Sequence, residues 1–184
     1  MFSPKFISSN LVDYLKNIDL GHAYIQGKDE GDLKKYLHLL FNKNLTTLAL
    51  LTPLFCIATK LNKLQDSNDK RYIVPDKLFD KHFGKIFIEL ENERKEEEKL
   101  LEKKLLTASS EEKTEIDKAL VKLEKKKIDP KRLRLMRFQT IVSKNIEKNL
   151  SSKQQELIKE EKTIKQLNDE QKIISDTLKY YRQH

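Results

Sequence analysis

Tryptophan is absent from this chain, and cysteine occurs once, at Cys56. A single thiol excludes an internal disulfide framework and a cysteine-based zinc cluster, and it suits a reducing compartment. Only four glycines occur, none grouped as a phosphate-binding loop requires. The longest apolar run, Leu48 to Ala58, is interrupted by Thr52 and Pro53. It is far too short to span a bilayer, and the chain carries no signal-peptide pattern, so no membrane partner is expected. The four histidines, His22, His38, His82 and His184, lie scattered without metal-ligand spacing. His82 reads as a partly buried surface histidine and Cys56 as a small buried hydrophobe. Most acidic residues fall in lysine-rich stretches, where pairing along a helix accounts for them. Neither catalysis nor a cofactor nor a metal is expected.

What the chain does have is charge. Of its 184 residues, 37 are Lys or Arg and 29 are Asp or Glu, for a net charge of +8. That balance favours nucleic acid, anionic lipid or an acidic protein without choosing among them. Hydrophobic residues make up 38% of the chain, little for one core spanning its whole length. They are also uneven, with residues 91–130 nearly free of aromatics. The expected class is therefore mainly α with minor β. A compact domain is expected over residues 1–90, and long charged helices, as a hairpin or coiled coil, over 91–184.

In chain order, Leu11, Tyr14, Leu15 and Ile18 recur at helical spacing after a start at Ser8-Ser9. Gly21 and Gly27 bracket a connector, His22 to Gln26, and Asp29 to Gly31 reads as a polar turn. Asp32 is placed to cap a second helix running through Phe41. The apolar stretch Thr46 to Leu61 predicts a central buried helix, with Pro53 near its first turn or at a kink. Tyr72-Ile73-Val74 predicts a short extended pair. Pro75 and Asp76 open a helix that Gly84 closes, and Lys85 to Leu90 ends the domain as a strand or last turn. Beyond it, charged helices are expected over Glu91–Lys104 and Glu111–Ile128, the second capped by Ser110. A third is expected over Lys131–Asn149 and a last over Lys153–Tyr181. The last carries a heptad pattern: Leu150, Leu157, Ile164, Gln171 and Leu178 on one seam, and Glu160, Leu167, Ile174 and Tyr181 on the other. An intermolecular coiled coil, hence a homodimer through 153–181, and a self-folded hairpin both satisfy that pattern.

The basic segment is the strongest chemical signal. From Lys122 to Lys144 there are nine Lys or Arg residues against two acids. Bases alternate with apolar residues from Lys131 to Phe138, and arginine suits phosphate contacts. Lys125, Lys126, Lys127, Lys131, Arg132, Arg134 and Arg137 are the candidate nucleic-acid contacts, giving salt-sensitive, sequence-independent binding. The alternative is an amphipathic helix whose basic face is simply solvated.

One stretch resembles a known family. Leu64-Gln65-Asp66, Asn68 and Lys70-Arg71, followed in order by Ile73, Asp76, Leu78, Phe83 and Gly84, resemble the second half of the SWIB domain. Upstream, Phe6-Ile7-Ser8-Ser9-Asn10-Leu11 is similar to the family's opening, and Thr47 to Lys63 stands at its central helix. The family's tryptophan there is replaced by Phe55 or Cys56, and Ser67 stands at its turn proline. The resemblance covers residues 1 to about 90. It implies a non-catalytic module of transcription or chromatin complexes, in the nucleus or, for a viral chain, in a viral factory or virion. Such a module grips an amphipathic helix of a protein partner. Leu51, Phe55, Ile73 and Phe79 are the groove candidates, with core filling as the alternative. Leu157, Ile164, Leu167, Ile174 and Leu178 are the candidate contacts for a partner helix. The competing function is a coiled-coil scaffold or assembly protein with no nucleic-acid role.

Overall fold

The computed structural model describes residues 3–25 and 28–184. Phe2, Gln26 and Gly27 lie outside the described residues. The architecture is mainly α with minor β, as composition and periodicity lead one to expect.

Strand β1 (Pro4–Phe6) pairs antiparallel with β4 (Leu45–Thr47). Between them stand α1 (Ser9–Asn17), the hairpin β2 (Ala23–Ile25) and β3 (Lys28–Gly31), a 3-10 turn (Leu33–Tyr36) and α2 (His38–Lys43). Ser8 caps α1 by accepting from the Leu11 amide. Asp32 caps only the 3-10 turn, so the single helix expected from Asp32 to Phe41 is two short pieces. The polar turn expected at Asp29–Gly31 is the second strand of a hairpin. Its neighbour β2 runs Ala23-Tyr24-Ile25, and its two apolar ends are buried.

Helix α3 (Leu48–Leu61) is the central element, capped by Thr47, whose hydroxyl accepts from the Leu50 amide. Seven of its residues are buried, on a surface too wide for one partner. Pro53 lies within the helix rather than at its first turn. Strand β5 (Tyr72–Ile73) follows, then α4 (Lys77–Leu105). Asp76 is the N-cap of α4, accepting from the Phe79 amide at 2.8 Å, which puts Pro75 outside the helix.

Gly84 does not end α4. The helix continues through the expected strand at Lys85–Leu90 and runs for 29 residues, about 43 Å at the standard rise. One interior glycine costs about 1 kcal/mol relative to alanine. The following Glu, Lys, Arg and Leu residues are strong helix formers, and Phe79, Phe83 and Phe87 anchor one stripe in the core. Helix α5 (Ser110–Lys125) folds back along α4. Its cap is Ser109, one residue before the expected Ser110, in a reciprocal capping box with Glu112. The Arg94 guanidinium sits buried on α4, paired with Glu91 at 2.8 Å and Glu98 at 2.7 Å. The Glu91 carboxylate also accepts from the Ile128 amide at 3.1 Å, fastening the end of α5 to α4.

The chain then returns to its start. In place of a third long helix over Lys131–Asn149 come β6 (Leu133–Arg134), a 3-10 turn (Leu135–Arg137) and α6 (Phe138–Lys144). Strand β6 pairs antiparallel with β5, Tyr72 opposite Arg134 and Ile73 opposite Leu133. Ile146 bridges Ile7, and Asn145 meets Ser8 through backbone and side chain. The expected last helix is divided into α7 (Ser152–Leu157), capped by Ser151 and Gln154, and α8 (Glu161–Gln183). Helix α8 packs along α3 and against β2 and β4.

One main hydrophobic core therefore joins Ile7, Leu11, Phe55, Phe83, Phe138, Ile141, Ile174 and Leu178. The boundary expected at Leu90 falls inside α4, and residues from both sides of it fill the same interior. Tyr14 lies at the aromatic centre, edge-on to Phe83 with centroids 4.7 Å apart. Its hydroxyl is buried without a hydrogen-bond partner, and burial pushes its pKa well above the usual phenol range. A buried unsatisfied hydroxyl costs about 1 kcal/mol or more. Tyr14→Phe is therefore expected to raise stability by about 1 kcal/mol, read as a higher urea midpoint at unchanged slope.

Candidate nucleic-acid interface

The basic segment is shaped by three local devices. Helix α5 ends at Lys125, and Lys126 is its C-cap. Asp129 then forms an Asx turn: its carboxylate accepts from the Lys131 amide at 2.9 Å and its carbonyl from the Arg132 amide at 3.2 Å. The chain next enters β6, where side chains alternate between faces. Leu133 points into the core, and Arg134 to solvent. The Leu135 amide closes on the Arg71 carbonyl at 2.8 Å.

The result is a concavity of about 780 Å³ between the end of α5, the β5–β6 ribbon and the start of α6. Lys125, Lys127, Arg132, Arg134 and Arg137, five of the seven expected contacts, line it together with Tyr72. Lys126 and Lys131 are exposed but not part of its lining. One acid, Asp129, stands among the lining residues, and its carboxylate is engaged by the Lys131 amide.

The cations differ in how they are held. Arg132 donates to the Asp66 carboxylate at 2.8 Å and lies over the Tyr72 ring at 3.8 Å. Its guanidinium, with the neighbouring backbone amides, holds Asp66 below the usual carboxylate range. Arg137 donates to the Lys126 carbonyl at 3.2 Å, at the negative end of the α5 dipole. Lys125, Lys127 and Arg134 form no ion pair among the described residues. They are the cations left to neutralise an incoming anion.

A second cavity, about 400 Å³, adjoins the first and shares Tyr72, Arg134, Met136 and Gln139 with it. Its walls are mainly apolar, drawn from Phe55, Cys56, Leu135 and Phe138. The Phe55 and Phe138 rings stack at 3.8 Å with 9° between planes. Burial raises the Cys56 thiol pKa, opposed by the nearby charges of Arg182 and Lys60. Arg71 stands at the rim and is clamped by Asp69 at 2.7 Å. That contact holds the Asp69 pKa down to about 2.

The other expected sites divide differently. Leu51, Phe55, Ile73 and Phe79 are all buried in the main core, and of these four only Phe55 borders a cavity described above. On α8, Leu167, Ile174 and Leu178 are buried within their own chain. The buried stripe is Thr163, Leu167, Glu170, Ile174, Thr177 and Leu178, so one seam is rotated from the expected Ile164–Gln171–Leu178 line. Ile164 is half-buried, and Leu157 lies beside a smaller cluster of Phe6, Leu45 and Leu167. Of the two expected seams, Leu167, Ile174 and Leu178 pack into the chain's own core, while Leu157, Ile164, Gln171 and Tyr181 stay partly exposed.

Sequence reasoning missed Arg71, Tyr72, Met136 and Gln139 as cavity residues. Tyr72 and Arg71 come into the site through the β5–β6 pairing, which joins segments some sixty residues apart, and two-residue strands leave no periodic signal. Among the described residues, no helix is long and apolar enough to cross a membrane, and no three His, Cys, Asp or Glu side chains are placed to hold a metal ion. No protein-family model matches this chain, and neither a curated protein nor a solved structure matches it.

Proposed function

We propose that this chain is a non-catalytic nucleic-acid-binding protein that takes the phosphate backbone in the concavity between α5 and the β5–β6 ribbon. The observation that carries the reading is the convergence of five cations on one hollow, of which only Arg132 has an ion pair among the described residues. Arginines before, on and after a short strand, beside lysines from a helix end, match the spread charge of a phosphate chain better than a point anion. The SWIB resemblance supplies the setting, a transcription or chromatin complex. Its partner-binding half is weaker, because Leu51, Ile73 and Phe79 serve the core.

The test uses Lys125, Lys127 and Arg134, whose charged groups make no ion pair or hydrogen bond among the described residues, Arg134 reaching only the Tyr72 ring at 6.0 Å. Wild-type protein is expected to bind labelled oligonucleotides with an affinity that falls steeply between about 50 and 200 mM salt. Lys125→Glu, Lys127→Glu and Arg134→Glu together should weaken binding by about tenfold or more. They should also flatten the log-log salt dependence by about one unit of slope for each phosphate left without a cation, with an unchanged circular dichroism spectrum. Equal binding by wild type and triple variant would sink the proposal.

A further inference from the structure

The two adjoining cavities have opposite chemistry and a shared wall. The first is lined by five cations and carries the charge. The second is about 400 Å³, within the range of cavities that hold small ligands, about 300–1,000 Å³. Its walls are mainly aromatic, aliphatic and thiol, with Thr52 and Arg71 beside them, and the lip it shares with the first is Tyr72, Arg134, Met136 and Gln139. Met136 is 72% exposed there, an unusual place for a large apolar side chain in a basic surface. Gln139, also exposed, offers both a donor and an acceptor.

We infer that the nucleic acid is single-stranded and that one unstacked base enters the apolar cavity while its flanking phosphates lie in the basic one. This rests on the nucleic-acid reading above and deepens it. A phosphate chain alone has no use for an apolar chamber opening off its binding hollow, and a base pair inside a duplex cannot leave its stack to enter one. A splayed base does both: its faces meet Tyr72, Met136 and the Phe138 edge, and its polar rim meets Gln139. Such platforms bind without sequence preference because every base has an apolar face. The guanidinium of Arg134 borders both chambers and stands where base and backbone diverge.

The discriminating probes are three fluorescent oligonucleotides with equal numbers of phosphates per strand, about 12: oligothymidylate, an abasic strand and a duplex. Anisotropy titration of the full chain at low salt should show oligothymidylate binding about tenfold tighter than the abasic strand. Thr52 is exposed on α3 and lines the apolar chamber but not the basic one. Thr52→Phe should fill the chamber and erase that tenfold preference, leaving abasic and duplex affinities as they were. Met136→Ala, at an exposed site, should reduce the preference without filling anything. Equal affinity for oligothymidylate and abasic strand, or a preference untouched by both variants, overturns the base seat and leaves backbone binding standing. Absence of salt-dependent binding to all three probes overturns both readings together.

Discussion

Replacing Ile174 by alanine is expected to lower stability by about 3–4 kcal/mol, and replacing it by aspartate to leave the chain unfolded. Ile174 is fully buried midway along α8, in the same core as residues of α1, α3 and α4. Truncation removes three carbons from a close-packed interior and leaves a cavity. Aspartate adds an unpaired buried charge, whose cost approaches the total stability of an ordinary domain. Ile164, nearer the start of the same helix and half-buried, should cost less than about 1 kcal/mol as alanine. This contrast separates two architectures. An intermolecular coiled coil built on the heptad would make Ile164 a seam residue, and its stability would depend on protein concentration. Intramolecular packing makes Ile174 dominant and the urea midpoint independent of concentration. Comparable losses at both positions, or a concentration-dependent midpoint, would exclude the packing described for α8.

The same residues explain why α8 is required by the N-terminal third. Thr177 donates to the Tyr24 carbonyl at 3.0 Å, and the Tyr181 hydroxyl accepts from the Tyr24 amide at 3.1 Å. Lys60 donates to the Tyr181 carbonyl at 2.9 Å, and the Tyr24 and Tyr180 rings stack at 3.8 Å. Helix α6 adds Phe138 against Phe55. A fragment of residues 1–90 would expose the faces of α3 that α6 and α8 cover. It is expected to lack a cooperative unfolding transition.

Local signals were legible where local physics decides. The helix starts at Ser8 and near Asp76, the buried face of α3, the break near Thr107–Ser110 and the cluster of basic residues all follow from nearest neighbours. Where sequence misled, tertiary contacts or competing propensities won. Gly84 reads as a helix end, yet Phe83 and Phe87 on either side are held in the core, and helix-forming residues follow. Lys131 to Asn149 reads as a helix, yet Leu133 and Arg134 form a strand because β5 offers an edge sixty residues earlier. The heptad on α8 is real in spacing, but Thr163, Glu170 and Thr177 face inward, where polar residues hide the phase of the stripe. The basic cluster was visible as composition. Its concavity was not, since Tyr72, Gln139 and the end of α5 meet only after folding.

Glu170 gives the other large effect, and it depends on pH. Its side chain is fully buried on α8. One carboxylate oxygen accepts from the Leu39 amide at 3.0 Å and from Gln166 at 3.2 Å. The other is buried with no partner. Burial raises the Glu170 pKa, and the Leu39 amide, Gln166 and the nearby His38 only partly offset it. The folded chain thus holds this proton more tightly than the unfolded chain does. Stability contributed by protonation is fully present below the unfolded glutamate pKa of about 4.3, and it is lost as pH rises through the higher folded value. Glu170→Gln keeps an oxygen for the Leu39 amide and never carries the charge. It is therefore expected to match the wild type near about pH 4 and to exceed it at neutral pH, where the wild-type carboxylate must either carry a buried charge or hold a proton that the unfolded chain has lost. Urea midpoints measured between about pH 4 and pH 8 should diverge upward. Parallel curves would show that the carboxyl titrates alike in the folded and unfolded chain, as it would if solvent reached it. The placement matters for the fold as a whole: Glu170 joins α8 to the start of α2, so the group whose charge opposes folding also ties the last helix to the N-terminal third.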